Sequence, residues 1–451
     1  MPVRSPRDAV FLVWFVVSLV AFSYPGAVRG QPGLYEPHRD PAVGFNLISW
    51  HNFGASGTSV WADAVQSLYD AGFRQVSVSP VRFVNTATGA ITASPTQSPT
   101  LGQIEAGVVR AKQLGMKVIV NPFVEPEGFH SWRGTFDPAP GGGVSNQFWS
   151  DYRSYMNEVA TWAQGLGADE MTVGTEYNGL ANNPGNASQW SATIGSIDAR
   201  FAGRLGYAAN WDSYRNQAAE AAIWSNPAID FLGIDAYFTD VVSGYQQAIG
   251  ATEAQRDAAL DNNMGFTTQV PGQTMATMMM DAWNLKLDGE ILPYAAALRE
   301  GAGLPVKFNE VGFLPRNRTA ADPQATNGAN ASVDSVEQRL SFEGLLRALD
   351  GRRDVLESID VWQWGMPGAD GSLWNMGLDD PALAYQDSLN RDTAQFLSAY
   401  VSNPVPEPGA VALLLTGGVA AAGAFSWGRR RGNASPSAAG MPSQPVPGVL
   451  A

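Results

Sequence analysis

Eight short runs rich in Val, Ile and Phe alternate with amphipathic helical stretches across residues 43–400. This alternation predicts an α/β fold, a (β/α)8 TIM barrel. Two other observations agree. The first run leads into Ile48-Ser49-Trp50-His51-Asn52, without the glycine-rich turn that opens a doubly wound sheet. Polar and aromatic residues also gather where the runs finish, as expected if all eight ends open at one mouth.

The strands are expected at residues 43–50, 75–83, 117–124, 170–178, 204–211, 229–238, 306–313 and 358–365. Helical stretches lie between them, at 60–71, 101–114, 148–166, 187–201, 275–300, 333–349 and 384–400. In the second of these, Leu101, Ile104 and Val108 recur at three- and four-residue steps, which puts them on one helical face. Residues 239–273, after the sixth strand, form a long insertion rich in Gln, Ala, Asp and Gly. Its place predicts either one wall of the mouth or a surface insertion. No repeat of fixed period is present.

The chain has 451 residues, room for one large domain with appendages. A formal net charge of −14 would repel nucleic-acid phosphates, so no nucleic-acid partner is expected. The absence of cysteine excludes disulfides and thiolate metal sites. His38, His51 and His130 lack H-x-x-x-H or H-E-x-x-H spacing, and Gly141-Gly142-Gly143 is remote from any strand–helix turn. Neither a metal nor a cofactor is therefore expected. Aromatics make up 10% of the chain, with 14 tryptophans, more than a core alone needs; some are expected to line a cleft for a neutral partner.

Both ends of the chain read as targeting segments. Residues 1–30 place Arg4 and Arg7 before an apolar run at 9–22, then Tyr24-Pro25-Gly26 and small residues, the pattern of a secretory signal. Residues 404–431 carry Val405-Pro406-Glu407-Pro408, an apolar stretch at 409–427 and Arg429-Arg430-Arg431. That stretch, as a helix, is about 28 Å long, close to the roughly 30 Å of a bilayer's hydrocarbon. This segment resembles the bacterial PEP-CTERM sorting signal, which implies export to the envelope or medium and recognition by a membrane sorting protease. Residues 432–451 continue past the arginines and are expected to be a disordered tail, leaving 31–403 as the main domain.

Glu176 ends the fourth run and Glu310 the seventh. Paired carboxyls at an aromatic mouth suit glycoside hydrolysis: one protonates the leaving oxygen, the other attacks or stabilises the anomeric carbon. Strand alternation puts Thr172, Gly174 and Glu176 on one face, and Phe308, Glu310 and Gly312 on another. The glycines are expected to leave space for a ligand. Trp50, Arg82, Asn121, Asn210, Trp211, Asp235, Tyr237, Trp362 and Trp364 also sit at run ends. Arg82 is either the charge that keeps the nucleophile ionised or half of an ion pair between loops.

Several blocks together resemble glycoside hydrolase family 113, the β-1,4-mannanase family of the retaining (β/α)8 clan. They are Lys117-Val118-Ile119-Val120-Asn121-Pro122 with Trp132-Arg133-Gly134, Gly174-Thr175-Glu176, Tyr207-Ala208-Ala209-Asn210-Trp211, Asp230 through Phe238, and Asn309-Glu310-Val311-Gly312-Phe313. The resemblance implies Glu176 as acid/base and Glu310 as nucleophile. It implies Tyr237 bonding near the nucleophile, Trp364 or Trp362 as the floor under the reacting sugar, and Asn210 and Trp211 lining a subsite. Trp132 is a further candidate for contact with a polysaccharide. Phe123, Asn309 and Thr239-Asp240 depart from the family pattern and bear on which sugar is preferred. Two classes follow: a secreted retaining hydrolase of a β-linked polysaccharide, mannan-like first, or a non-catalytic carbohydrate-binding or adhesive surface protein on the same barrel.

Overall fold

The computed structural model describes residues 42–402 apart from 216–219, 351, 353–354, 367–372 and 379–387. The two targeting segments, the expected tail and the first residues of the last expected helix lie outside them. Strands are β1 (Ala42–Leu47), β2 (Gln75–Val78), β3 (Val81–Val84), β4 (Ile91–Thr92), β5 (Lys117–Val120), β6 (Phe123–Pro126), β7 (Glu170–Thr175), β8 (Arg204–Asn210), β9 (Phe231–Asp235), β10 (Val306–Val311) and β11 (Leu356–Val361). Eight of them close a parallel barrel in the order β1-β2-β5-β7-β8-β9-β10-β11, with β11 returning to β1 through Phe45↔Val361. The expected TIM barrel is the fold observed.

Two of the expected strands each turn out to be two. Residues 75–83 break at Ser79-Pro80, and 117–124 at Asn121-Pro122. Proline offers no N–H to a ladder, so neither barrel strand continues through it. Beyond the prolines, β3 and β6 pair with each other, Val81↔Phe123, and β4 pairs antiparallel to β3. This small sheet stands at the C-terminal, mouth end of β2 and β5.

The helices form where capping and periodicity direct. Leu101–Gln113 starts at a capping box: the Thr100 hydroxyl accepts from Gln103 N–H, and Gln103 Oε1 accepts from Thr100 N–H at 3.0 Å. Its Ile104, Val108 and Ala111 face inward. Gly143–Leu166 stops at Gly167, whose φ of 67° suits a left-handed cap. Helix residues such as Trp61, Met156, Ile194, Met279 and Leu345 join Phe45, Val76, Met171, Leu232 and Ile359 of the strands in one apolar cluster. No described helix is long and apolar enough to cross a membrane.

The opposite strand faces meet inside the barrel, and there the packing is polar. Gln75 Nε2 donates to Asp360 at 2.8 Å, and Asn46 Nδ2 to the Asn309 carbonyl at 2.9 Å. At the base, Glu170 is buried against Lys117 at 2.7 Å, Arg204 at 3.2 Å and Lys307 from across the barrel. Burial and the Lys117 ammonium pull Lys307 well below the ordinary lysine range.

The 239–273 insertion folds into helices Val241–Ala248 and Glu253–Asp261. It is held to its neighbours by Gln273 on Asp281 (2.8 Å), Asn263 on Asp334 (2.9 Å) and Arg318 on Asp261 (2.8 Å). These anchors tie it to the following helix and the segment after β10.

Glu170→Ala removes the buried carboxyl that Lys117 and Lys307 share and is expected to cost about 3–5 kcal/mol in chemical denaturation. Lys112→Ala, which breaks a partly exposed pair with Asp169, is expected to cost about 1 kcal/mol or less.

Candidate active site

Glu176 follows the last residue of β7, and its position depends on a local irregularity. The β7–β8 register shifts between Thr172 and Thr175, so both threonine hydroxyls donate to Asn121 Oδ1, Thr175 at 2.6 Å. Glu176 then adopts φ 52°, a left-handed conformation uncommon outside glycine, and its N–H is held by the Ala208 carbonyl at 2.8 Å. That kink swings the carboxyl toward the loop after β6.

The loop supplies its partners. Arg133 Nη2 donates to Glu176 Oε2 at 2.8 Å and Nη1 to Glu125 Oε1 at 2.6 Å; Nε reaches the Thr175 carbonyl at 3.1 Å. The guanidinium lies 4.5 Å from the Phe123 ring centroid. Trp132 Nε1 donates to the same Glu176 Oε2 at 3.1 Å. Both donors thus use one oxygen, and Oε1 carries no hydrogen bond among the described residues. Burial raises the Glu176 pKa, opposed by Arg133 and the Trp132 hydrogen bond. Burial alone would lower Arg133, but Glu125, Glu176 and Glu310 more than offset it and keep the guanidinium charged.

Glu310 lies on β10, across the β9–β10 pairing from Asp235. Tyr237 O–H donates to Glu310 Oε2 at 3.1 Å, while Oε1 is buried with no partner among the described residues. Burial first, and then the Glu176 charge, push Glu310 up to about 8, against Arg133 and Tyr237. Asp235 is fully buried, and neither oxygen is hydrogen-bonded among the described residues; burial, then Glu310 and Glu176, raise it well above the usual carboxylate range. The paired strand-end carboxyls are therefore coupled electrostatically, with a third carboxyl beside them.

An aromatic surface borders the group. Trp362 is half-buried, with its ring 6.2 Å from Trp50 and 6.3 Å from Phe123; Trp50 also meets Phe129. Trp132 and Phe129 are 40% and 45% exposed, leaving faces open to a ligand. Trp374 packs edge-on to Tyr237 at 5.7 Å. A Cβ on Gly312 would lie 2.6 Å from that indole, so glycine is required for the approach. Asn210 is buried and pairs in register with Asp235; Trp211 is half-buried against Phe238 at 6.2 Å.

Three expectations are corrected. Trp364 has no exposed surface and packs on Phe45 and Phe73 in the apolar layer, so it is not the floor of the mouth. β11 ends at Val361, and period-two alternation does not carry past a strand's end. Arg82 points away from the carboxyls, toward Glu158 at 4.0 Å and the Tyr155 ring. Its neighbours Val81 and Phe83 occupy the other face of β3, in a small cluster with Ile48 and Phe123. The glycines do not leave ligand space: Gly174 is crowded by Tyr177, Trp190 and Tyr207, and Gly312 by Trp374. Register shifts in β7 and β10 break the alternation on which that expectation rested.

Arg133 and Glu125 were not among the expected site residues. The only signal was the Trp132-Arg133 pair after the third run. His51 and His130 are exposed, and no described cluster of His, Asp or Glu could hold a metal ion.

A closed parallel barrel with two buried carboxyls at strand ends and aromatic rings around them defines a glycosidase-type barrel. The family model for Glycoside Hydrolase Family 113 matches residues 48–370, more than half of the chain, and the protein belongs to that family of glycoside hydrolases. The GH113 β-mannanase from Alicyclobacillus acidocaldarius superposes with a TM-score of 0.58 at 17% identity, covering 82% of this chain and 99% of that one. A second GH113 β-1,4-mannanase structure gives 0.58 at 15% identity, covering 81% and 100%. No curated protein matches the chain.

The titration of Glu310 makes a stability prediction. A carboxyl raised from its ordinary 4.5 to about 8 favours the native state while protonated and opposes it as pH rises through that window. Glu310→Gln is therefore expected to stabilise the protein by about 1–3 kcal/mol near pH 7. The gain should vanish at about pH 4, as thermal melts across pH will register.

Proposed function

We propose that the protein hydrolyses a β-linked polysaccharide with retention, and that β-1,4-mannan is its first substrate. The observation that carries this is the unequal hydrogen bonding of the two carboxyls. Glu176 has one oxygen held by Arg133 and Trp132 and the other free, which suits a proton carried on Oε1 toward a glycosidic oxygen. Glu310 has only the Tyr237 hydroxyl, so its anion is poorly stabilised until positive charge develops at an anomeric carbon beside it.

In the first step Glu176 protonates the leaving oxygen while Glu310 attacks the anomeric carbon, forming a glycosyl ester. That ester removes the Glu310 charge, and by the reciprocity of their coupling the Glu176 pKa falls. The Glu176 carboxylate then takes a proton from water as it attacks the ester, which returns Glu310 to its ionised form. The half-buried Trp362, with Trp50 beside it, is suited to stack under the reacting sugar, and exposed Trp132 under the sugar of the leaving group.

The mannan preference is supported by the family and by its mannanase structures. The terminal segments support an exported enzyme acting in the envelope or medium, with a sorting protease as its partner at the C-terminal signal. The intact pair of carboxyls, each with a hydrogen-bonding partner, favours catalysis over binding alone.

Reducing-end release should be highest on mannan or glucomannan within a panel that includes β-glucan and galactan. Glu176→Gln and Glu310→Gln should each lower it by about 10²-fold or more with unchanged melting cooperativity. Azide should restore Glu176→Ala and yield a β-glycosyl azide. Wild-type rates in either Gln variant, or a first-formed α-anomer by NMR, would overturn the assignment.

A further inference from the structure

We propose that Asp235 is a positioning residue for Glu310. It would be a carboxylic acid that keeps its proton and offers its O–H to Glu310 Oε1, directly or through one water, so that Glu310 is the first of the two to ionise. This deepens the hydrolase reading above and rests on it for the role of Glu310.

Asp235 has no exposed surface, and among the described residues both carboxyl oxygens lack a hydrogen-bond partner, as does the buried Oε1 of Glu310. The two residues sit opposite each other in the β9–β10 register, and the backbone draws them close: Ala236 N–H donates to the Glu310 carbonyl at 2.6 Å. A buried carboxylate without donors is costly, whereas a carboxylic acid needs only one acceptor for its O–H.

The surroundings decide which form persists. Glu310 faces Asp235 from β10, Glu176 acts on it from the end of β7, and Arg133 from the loop after β6. Asn210 on β8 pairs with it in register and brings no charge, and Tyr237 on its own segment gives its hydroxyl to Glu310. Four carboxyls, with Glu125 the fourth, share the buried Arg133 guanidinium. Arg133 is already bonded to Glu125 and Glu176. Two like charges side by side in this interior do not both ionise, and retaining chemistry requires the anion on Glu310. The proton then belongs to Asp235.

The test reads the Glu310 titration itself. Protein labelled at the glutamate carboxyl carbons is titrated by NMR, with the Glu310 resonance assigned by its loss in Glu310→Gln. Asp235→Asn keeps a neutral donor and should leave the Glu310 midpoint within about half a unit of the native one. Asp235→Ala removes the donor and should raise it by about one unit or more. A downward shift in both variants would mean that Asp235 is an ionised like charge, and no shift in either would mean no contact; each overturns the proposal. Should Asp235→Ala not fold, the infrared C=O stretch of a protonated carboxyl decides. A drop in its intensity at neutral pH from native protein to Asp235→Asn supports the proposal, and unchanged intensity overturns it. Neither readout needs turnover, so an inactive native protein would count against the hydrolase reading alone.

Discussion

Closure of the sheet is the constraint on which the rest of the structure depends. A parallel ladder has no free edge only when β11 returns to β1, and closing it sends every barrel strand out at one end. The apolar faces turn outward to the helices, which leaves the inner faces to be satisfied among themselves. Here they are satisfied by charge and hydrogen bonding, with Glu170 at the base gathering Lys117, Lys307 and Arg204. The interior is thus polar from base to mouth, and the carboxyls at the mouth continue that interior upward.

The site departs from strand regularity where it needs to. Register shifts in β7 and β10, and a left-handed residue at Glu176, turn two side chains out of the alternation. The prolines after β2 and β5 end the barrel strands early and free the next residues to form the small sheet. That sheet carries Glu125 and leads directly to Trp132 and Arg133. One guanidinium then ties the small sheet to the end of β7, and its charge is the main opposition to the burial that raises Glu176 and Glu310. The arrangement holds carboxyls whose ionisation is costly in the ligand-free protein, a cost that a developing cation in the mouth would relieve.

Much of this was legible in the chain. Alternating apolar periods located all eight barrel strands, because burial against a helix layer demands β-branched and aromatic residues in short runs. Glu176 and Glu310 stood out because carboxylates at the ends of apolar runs are placed where a barrel opens. Arg82 and Trp364 were misplaced for one shared reason. Each was assigned a direction by counting residues along a strand, and the ladder had already ended or changed sheets at that point.

The sequence by itself therefore determined the barrel, its order of strands and helices, and the two carboxyls at its mouth, since these follow from periodicity and residue type. Only the tertiary structure decided which side chains meet them: Arg133 in place of Arg82, Trp362 in place of Trp364, and Asp235 as an unpaired third carboxyl. Those choices depend on bulges, proline breaks and loop paths. Their geometry is set by packing between segments far apart in the chain, and no local pattern records it.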